Sequence, residues 1–271
     1  MSYPYDHRPI GLFDSGVGGL TVLHELLARF PQETFIYLGD TARVPYGTKS
    51  PATVQRYTIQ VAEFLLRMDV KCLVAACNTA SALGLPALRA HCATPAIGVI
   101  EPGCKAAVGA LGAGGGKVGV IGTHATIASD AYARTLNLLL PECPVRSLSC
   151  PLFVPVVEEG WTAYPSTHLL IRESLQPLID DPVDVLILGC THYPILKPQI
   201  AQVLGPRTLL VDSAQAVAVE LNRLLGSGIV LPSSRRESVR FHVTDAAPRF
   251  REVASRFLPL LEIDSVEVVD L

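Results

Sequence analysis

The chain has 271 residues, a formal net charge of −3, 49% hydrophobic and 17% charged residues, and seven cysteines. That length suits one large α/β domain or two modest ones, able to bury cores without disulfide staples or structural metals. The slightly acidic balance and only five lysines exclude a basic nucleic-acid surface.

No membrane span is expected either, because the most apolar stretch, about 73–88, is broken by Asn78, Thr79 and Ser81. The start carries Asp6, His7 and Arg8 and lacks the apolar core of a signal peptide, so a cytoplasmic location is expected.

In chain order, a strand is expected over 9–13, and the glycine-rich Ser15 to Gly19 opens a helix that runs to Phe30. A strand over 34–38 precedes a helix over 50–68. There Ser50 is the N-cap, Pro51 suits the first turn, and Val54, Tyr57, Val61 and Leu65 share one face. A strand at 71–76, a helix at 79–92, a strand at 96–100 and a helix at 102–111 follow. After the break at Gly112 to Gly116 come a strand at 117–121, a helix at 125–138, a strand at 145–149, a helix at 165–179 and a strand at 183–188. Strands at 209–211 and 239–243 are each followed by a helix. Strands that are apolar throughout, alternating with helices, predict parallel sheets covered on both faces.

The pattern also repeats weakly. Ile10 to Ser15 begins one β-α series and Val118 to Thr123 another. About sixty residues after each comes an apolar strand that ends in a cysteine, Cys77 in one case and Cys190 in the other. Seven cysteines without a C-x-x-C pair fit neither a disulfide framework nor a zinc ribbon. Cys72, Cys92, Cys104, Cys143 and Cys150 read as small, reduced, mostly buried side chains.

Cys77 and Cys190 differ by position. Ligands of open α/β sheets bind outside the carboxyl ends of the strands. A thiol there, at a helix start, is expected to have a lowered pKa. Two such thiols facing one cleft suit removal of a proton from one face of a carbon and delivery to the other.

Asp14, Ser15, Asp40, Tyr46, Gly47 and Thr123 lie at or just beyond equivalent strand ends, and His192 follows Cys190 by two residues. Hydroxyls and helix-start N–H groups are expected to hold a carboxylate. Asp14 is placed to receive an ammonium group or assist Cys77, and His192 to assist Cys190, oriented by Glu158 or Glu159. Asp14 and Ser15 also fit as plain helix caps. Gly16 to Gly19 lacks the spacing of a dinucleotide fingerprint, and the remaining histidines have no metal-ligand spacing. A catalytically silent carboxylate binder and a Cys–His hydrolase are weaker alternatives, since each leaves at least one thiol unexplained.

At these residues the chain resembles the glutamate racemases of the aspartate/glutamate racemase superfamily, from Ile10 to about Asp270. The similarity rests on Phe13 to Thr21, Gly39 to Gly47, Ala76 to Ser81, Gly189 to Pro194, and Pro151 to Pro155 leading to Glu158-Glu159-Gly160. The resemblance implies cofactor-independent interconversion of L- and D-glutamate, supplying D-glutamate for peptidoglycan. Cys77 would take the α-proton from D-glutamate and Cys190 from L-glutamate. Asp14 would assist the first thiol, and His192 with Glu158 the second.

It further implies substrate contacts among Ser15, Asp40, Tyr46, Gly47, Asn78, Thr79, Thr123, Thr126 and Thr191, with no metal and no pyridoxal phosphate. Two pseudo-symmetric doubly wound α/β domains with mainly parallel sheets are implied, 1–100 plus 212–271 and 101–211, with the active site in the cleft between them. About a dozen residues precede Asp14, so control through a longer N-terminal extension, as in some members, is not expected. Apolar helix faces fit either domain packing or a homodimer interface.

Overall fold

The structure is a computed structural model that describes residues 6–226, 238–259 and 261–271. Residues 1–5, part of the start expected to lack a signal peptide, lie outside the described residues. Two sheets organise the chain, and every strand pairing in both is parallel.

The first sheet contains β1 (Ile10–Asp14), β2 (Thr34–Gly39), β3 (Cys72–Ala75), β4 (Ala96–Gly98), β9 (Ser238–Val243) and β10 (Val266–Val268), in the order β10-β9-β2-β1-β3-β4. The second contains β5 (Val118–Gly122), β6 (Val145–Ser149), β7 (Val185–Gly189) and β8 (Leu209–Asp212), in the order β6-β5-β7-β8. Taken from their own first strands, both sheets run second, first, third, fourth, so the weak sequence repeat corresponds to one topology used twice. Within the sheets the chain passes from the first to the second after β4 and returns after β8.

Continuous apolar strands make sense here because each face of the first sheet has its own core. Ile10, Leu12, Tyr37 and Val74 point to one core, while Phe13, Ile36, Leu38 and Ala75 point to the other. Helix α1 (Leu20–Arg29) packs on α12 (Ser213–Gly226), and α12 packs on α5 (Ile100–Leu111), which lies against β7 and β8. These helices join the two layers. Helix α2 (Pro51–Arg67) covers the other face, with Ser50 accepting the Thr53 N–H at 3.4 Å as its N-cap.

Three expected helices are each divided in two. The segment expected as one helix over 79–92 is α3 (Asn78–Leu83) and α4 (Leu85–His91). They meet at Gly84, where a β-carbon would run into the Thr58 side chain of α2, and Pro86 opens the second piece. The segment at 125–138 is α6 (His124–Ala128) and α7 (Ala131–Leu139), split at Asp130 with φ 53°. The helix expected over 165–179 is α9 (Pro165–Ser174) and α10 (Gln176–Asp180), divided at Leu175 with Pro177 in the new first turn. The sequence also concealed α8 (Phe153–Glu158) and the edge strand β10. Helix α11 (Lys197–Leu204) is not among the expected helices either, whereas α13 (Ala247–Ala254) is the helix expected after the strand at 239–243. Among the described residues no helix is long and apolar enough to cross a membrane.

All seven cysteines are free thiols; Cys92 is half-buried and the other six are buried. Lys71, at the amino end of β3, is buried against Glu33 with Nζ to Oε2 at 2.6 Å, and also donates to the Asp6 carbonyl at 3.0 Å. Removing one partner leaves the other charge buried and unpaired. Lys71→Met is therefore expected to lower unfolding stability by about 3–5 kcal/mol in urea titration, and Lys71→Met with Glu33→Leu to recover most of that loss.

Candidate active site

The carboxyl ends of β1, β3, β5 and β7 turn toward a single cavity of about 40 Å³. It is lined by Ser15, Tyr46, Gly47, Asn78, Thr79, Thr123, Glu158, Thr191 and His192, together with both cysteines of the repeat. Gly16, Val44, Pro45 and Val154 complete the wall. Cys77 and Cys190 thus meet in one site.

Cys77 is the N-cap of α3. Its Sγ accepts the Ala80 N–H at 3.5 Å, and its thiol donates to Ser15 Oγ at 3.7 Å. The lowered pKa expected of a helix-start cysteine is overturned. Burial pushes the Cys77 thiol up to about 12, the nearby Asp14 charge adds to this, and the bonds from Ala80 and Ser15 pull back only in part. Cys77 rests as a neutral thiol. Burial likewise raises the Asp14 carboxyl. Its Oδ2 accepts the Gly16 N–H at 2.8 Å, whereas Oδ1 is buried without a hydrogen-bond partner. That free acceptor next to a protonated thiol gives a proton or an ammonium group somewhere to go.

Cys190 is built differently. Its Sγ lies 3.9 Å from His192 Nδ1, and His192 Nε2 lies 2.8 Å from Glu158 Oε1. Of the two neighbouring acids, the structure brings Glu158 to the ring. Glu159 is exposed and pairs with Arg249 at 2.8 Å. Burial alone would pull His192 down, but Cys190 and Glu158 together push it up to about 10, so the imidazole carries a proton at neutral pH.

Close approach across the two layers depends on glycine. A β-carbon on Gly18 would sit 2.5 Å from His192 Cε1 and Nδ1 and collide with Thr191 Oγ1. One on Gly47 would sit 2.7 Å from Thr123 Cβ. The glycine run after β1 therefore lets one half touch the other, which no dinucleotide spacing describes. Hydroxyls close the seam: Thr79, Thr123 and Thr126 form a triangle with all three Oγ1 separations at 3.0 Å. Thr21 Oγ1 donates to the Thr191 carbonyl at 3.0 Å. Behind the cavity the Tyr132 hydroxyl donates to Asn78 Oδ1 at 2.6 Å and lies 3.4 Å from Ser213 Oγ.

Three expected site residues do not line the cavity. Asp14 sits just behind it beside Cys77. Thr126 is buried and bonded to the two threonines that do reach the wall. Asp40, expected as a substrate contact, is buried behind the wall in this structure. Its carboxylate accepts the Tyr46 hydroxyl, Arg43 Nε at 2.7 Å and the Thr244 hydroxyl at 2.9 Å, and so fixes the Tyr46 loop.

The Asp/Glu/Hydantoin racemase family matches residues 15–221. The chain belongs to that family. A curated glutamate racemase from Geobacter metallireducens is 50% identical over 252 residues, covering 93% of each chain. A glutamate racemase isoform from Bacillus anthracis superposes with a TM-score of 0.93 at 40% identity, covering 98% of this chain and 99% of that one. The glutamate racemase of Francisella tularensis, solved with D-glutamate, superposes at 0.90 with 41% identity, covering 97% and 98%. Family membership makes the protein an enzyme of the racemase class, and its two parallel-sheet layers are those of the solved glutamate racemases. Within this racemase, Gly18→Ala is expected to force Thr191 and His192 away from α1. It should lower kcat/KM by roughly 100-fold in a racemisation assay while leaving the circular dichroism spectrum unchanged.

Proposed function

We propose that the protein interconverts L- and D-glutamate without a cofactor, by proton transfer at the α-carbon between Cys77 and Cys190. The observation that carries this reading is two thiols at matching strand ends of two like-ordered sheets, both on one small cavity, each with its own proton-handling neighbour. From L-glutamate, the Cys190 thiolate takes the α-proton and the electron pair stays on the α-carbon and its carboxylate. The Cys77 thiol then gives its proton to the opposite face, and the reverse reaction exchanges the roles.

The resting protonation supports this order. Cys77, pushed up to about 12, holds the proton to be given, while charged His192 beside Cys190 supports negative charge on that sulfur. When Cys77 must act as base, Asp14 with its unpartnered Oδ1 is the nearby acceptor.

Asn78, Thr79, Thr123 and the starts of α3 and α6 present donors suited to a carboxylate, with Ser15, Tyr46, Gly47 and Thr191 completing the contacts. The substrate has two carboxylates, which fits a wall so rich in hydroxyls. Ligand pockets commonly span about 300–1,000 Å³. A cavity of about 40 Å³ therefore implies that the two layers part to admit glutamate and close to exclude water. We take the moving bodies as 1–100 plus 212–271 and 101–211. The product would supply D-glutamate for peptidoglycan synthesis in the cytoplasm.

Incubation of either enantiomer in deuterated water is expected to yield the racemate with α-deuterium in the newly formed enantiomer. Cys77→Ala and Cys190→Ala should each abolish racemisation, and full activity in either variant would sink the two-thiol reading. Equal turnover of aspartate would overturn the substrate. Raising the pH through about 10 removes the His192 proton, so kcat/KM is expected to fall there. His192→Asn should lower the plateau and remove that alkaline limb.

A further inference from the structure

His192 and Glu158 belong to the second layer, but their outer support comes from the first. After α12 the chain rejoins the first sheet, and α13 ends at Ala254. The next residues turn tightly, with Arg256 N–H donating to the Val253 carbonyl at 3.0 Å and Phe257 N–H to the Ala254 carbonyl at 2.9 Å. Two side chains leave this fixed turn toward the dyad. The Phe257 ring stands perpendicular to the His192 ring, centroids 5.5 Å apart. Arg256 donates through Nη1 to the backbone carbonyl of Glu158, while its Nη2 lies 3.4 Å from Glu252 Oε1. Gly160 leaves room for the guanidinium. It has φ +72°, and a β-carbon there would lie 3.1 Å from Arg256 Nε. The neighbouring Arg249–Glu159 pair is exposed on both sides and adds little.

Helix α8 has only six residues, and Glu158 is its last. The terminal carbonyls of a helix have no partner inside it, and a cation at that end is favourable. The final turn of so short a helix frays readily unless something outside holds it. Arg256 does so at the residue whose carboxylate reaches His192. We infer that Arg256 is a positioning residue for the Cys190 half of the site, fixing the backbone of Glu158 so that the line Glu158–His192–Cys190 stays in register. Phe257 limits the tilt of the imidazole from the same turn. This role rests on the two-thiol reading given above and extends it to a segment outside the cavity wall.

Rate loss alone does not locate the role. L- and D-glutamate have equal free energy, so any variant must change kcat/KM by the same factor in both directions. Isotope effects separate the halves, because α-deuterium leaves L-glutamate at Cys190 and D-glutamate at Cys77.

For Arg256→Ala, kcat/KM is expected to fall about 10-fold. The primary isotope effect on kcat/KM should rise with α-deuterated L-glutamate and fall with α-deuterated D-glutamate. Arg256→Lys, which keeps a cationic donor, should recover part of the rate and show the same skew more weakly. It carries the test alone if the alanine variant does not fold. Isotope effects unchanged from the parent enzyme on both enantiomers would overturn the positioning role while the two-thiol reading stands. Racemisation surviving in Cys190→Ala would remove that reading and this role with it.

Discussion

Both thiols sit between two parallel sheets with little room for water, and burial is the largest influence on the charge of Cys77 and Asp14. Cys77 and Asp14 lie 63 residues apart in the sequence but close enough in space to act on one another's charge, and both are raised chiefly by desolvation. A helix-start N–H does bond to the Cys77 sulfur, but one such bond at 3.5 Å is weaker than the loss of water around the anion. On the other side the same burial acts on His192 in the opposite direction, toward the neutral ring. Two acidic partners overcome it. The site thus stores a proton on each side: a thiol at Cys77 and an imidazolium beside Cys190.

The halves share a topology and differ in chemistry. Strand order places β1, β3, β5 and β7 in equivalent positions, which is why Ser15 and Thr123, and Cys77 and Cys190, occur as pairs. Around that frame, Cys77 has Ser15, the Ala80 N–H and Asp14, whereas Cys190 has a histidine braced by a carboxylate. In the proposed two-thiol reaction, substrates of opposite handedness would present the α-hydrogen to opposite walls, so the walls need not match. Equal free energies of the two enantiomers require only that the walls be balanced across the full cycle.

Much of this was legible in the sequence, for physical reasons that differ by residue. Cys77 and Cys190 stood out because an apolar strand followed by a polar helix start fixes a residue at the carboxyl edge of a sheet. His192 followed from its distance of two residues, and the choice of Glu158 over Glu159 needed the resemblance to glutamate racemases. Strand-end position does not tell whether the Asp40 carboxylate faces the cleft or its own loop, and in the structure Tyr46, Arg43 and Thr244 hold it.

The helix breaks were hidden for a similar reason. Gly84 yields to a contact with Thr58 on another helix, and Asp130 adopts a left-handed conformation that its neighbours do not announce. Helix α8 is too short for periodicity to show, and Arg256 lies almost a hundred residues from the carbonyl it holds. Long-range contacts of that kind leave no local pattern.

In the proposed reaction the seam between the layers opens for glutamate to enter, and the hydrogen bonds that cross it are part of what opening costs. Thr79 meets Thr123, Thr21 meets the Thr191 carbonyl, Tyr132 meets Asn78, and Arg256 meets the Glu158 carbonyl. Each is worth roughly 0.5–1.5 kcal/mol net of its exchange with water. Parting these four hydrogen bonds therefore costs only a few kcal/mol, beside whatever apolar contact between the layers is lost. Substrate changes the balance on closing. On the proposed reading its carboxylates would take up hydroxyls that otherwise bond to one another, and water would leave a site where charge is then felt strongly. The threonine triangle would thus be a closed arrangement that glutamate enters by exchanging partners, while Arg256 and Tyr132, which do not line the cavity themselves, would brace the wall residues Glu158 and Asn78 from behind on closing.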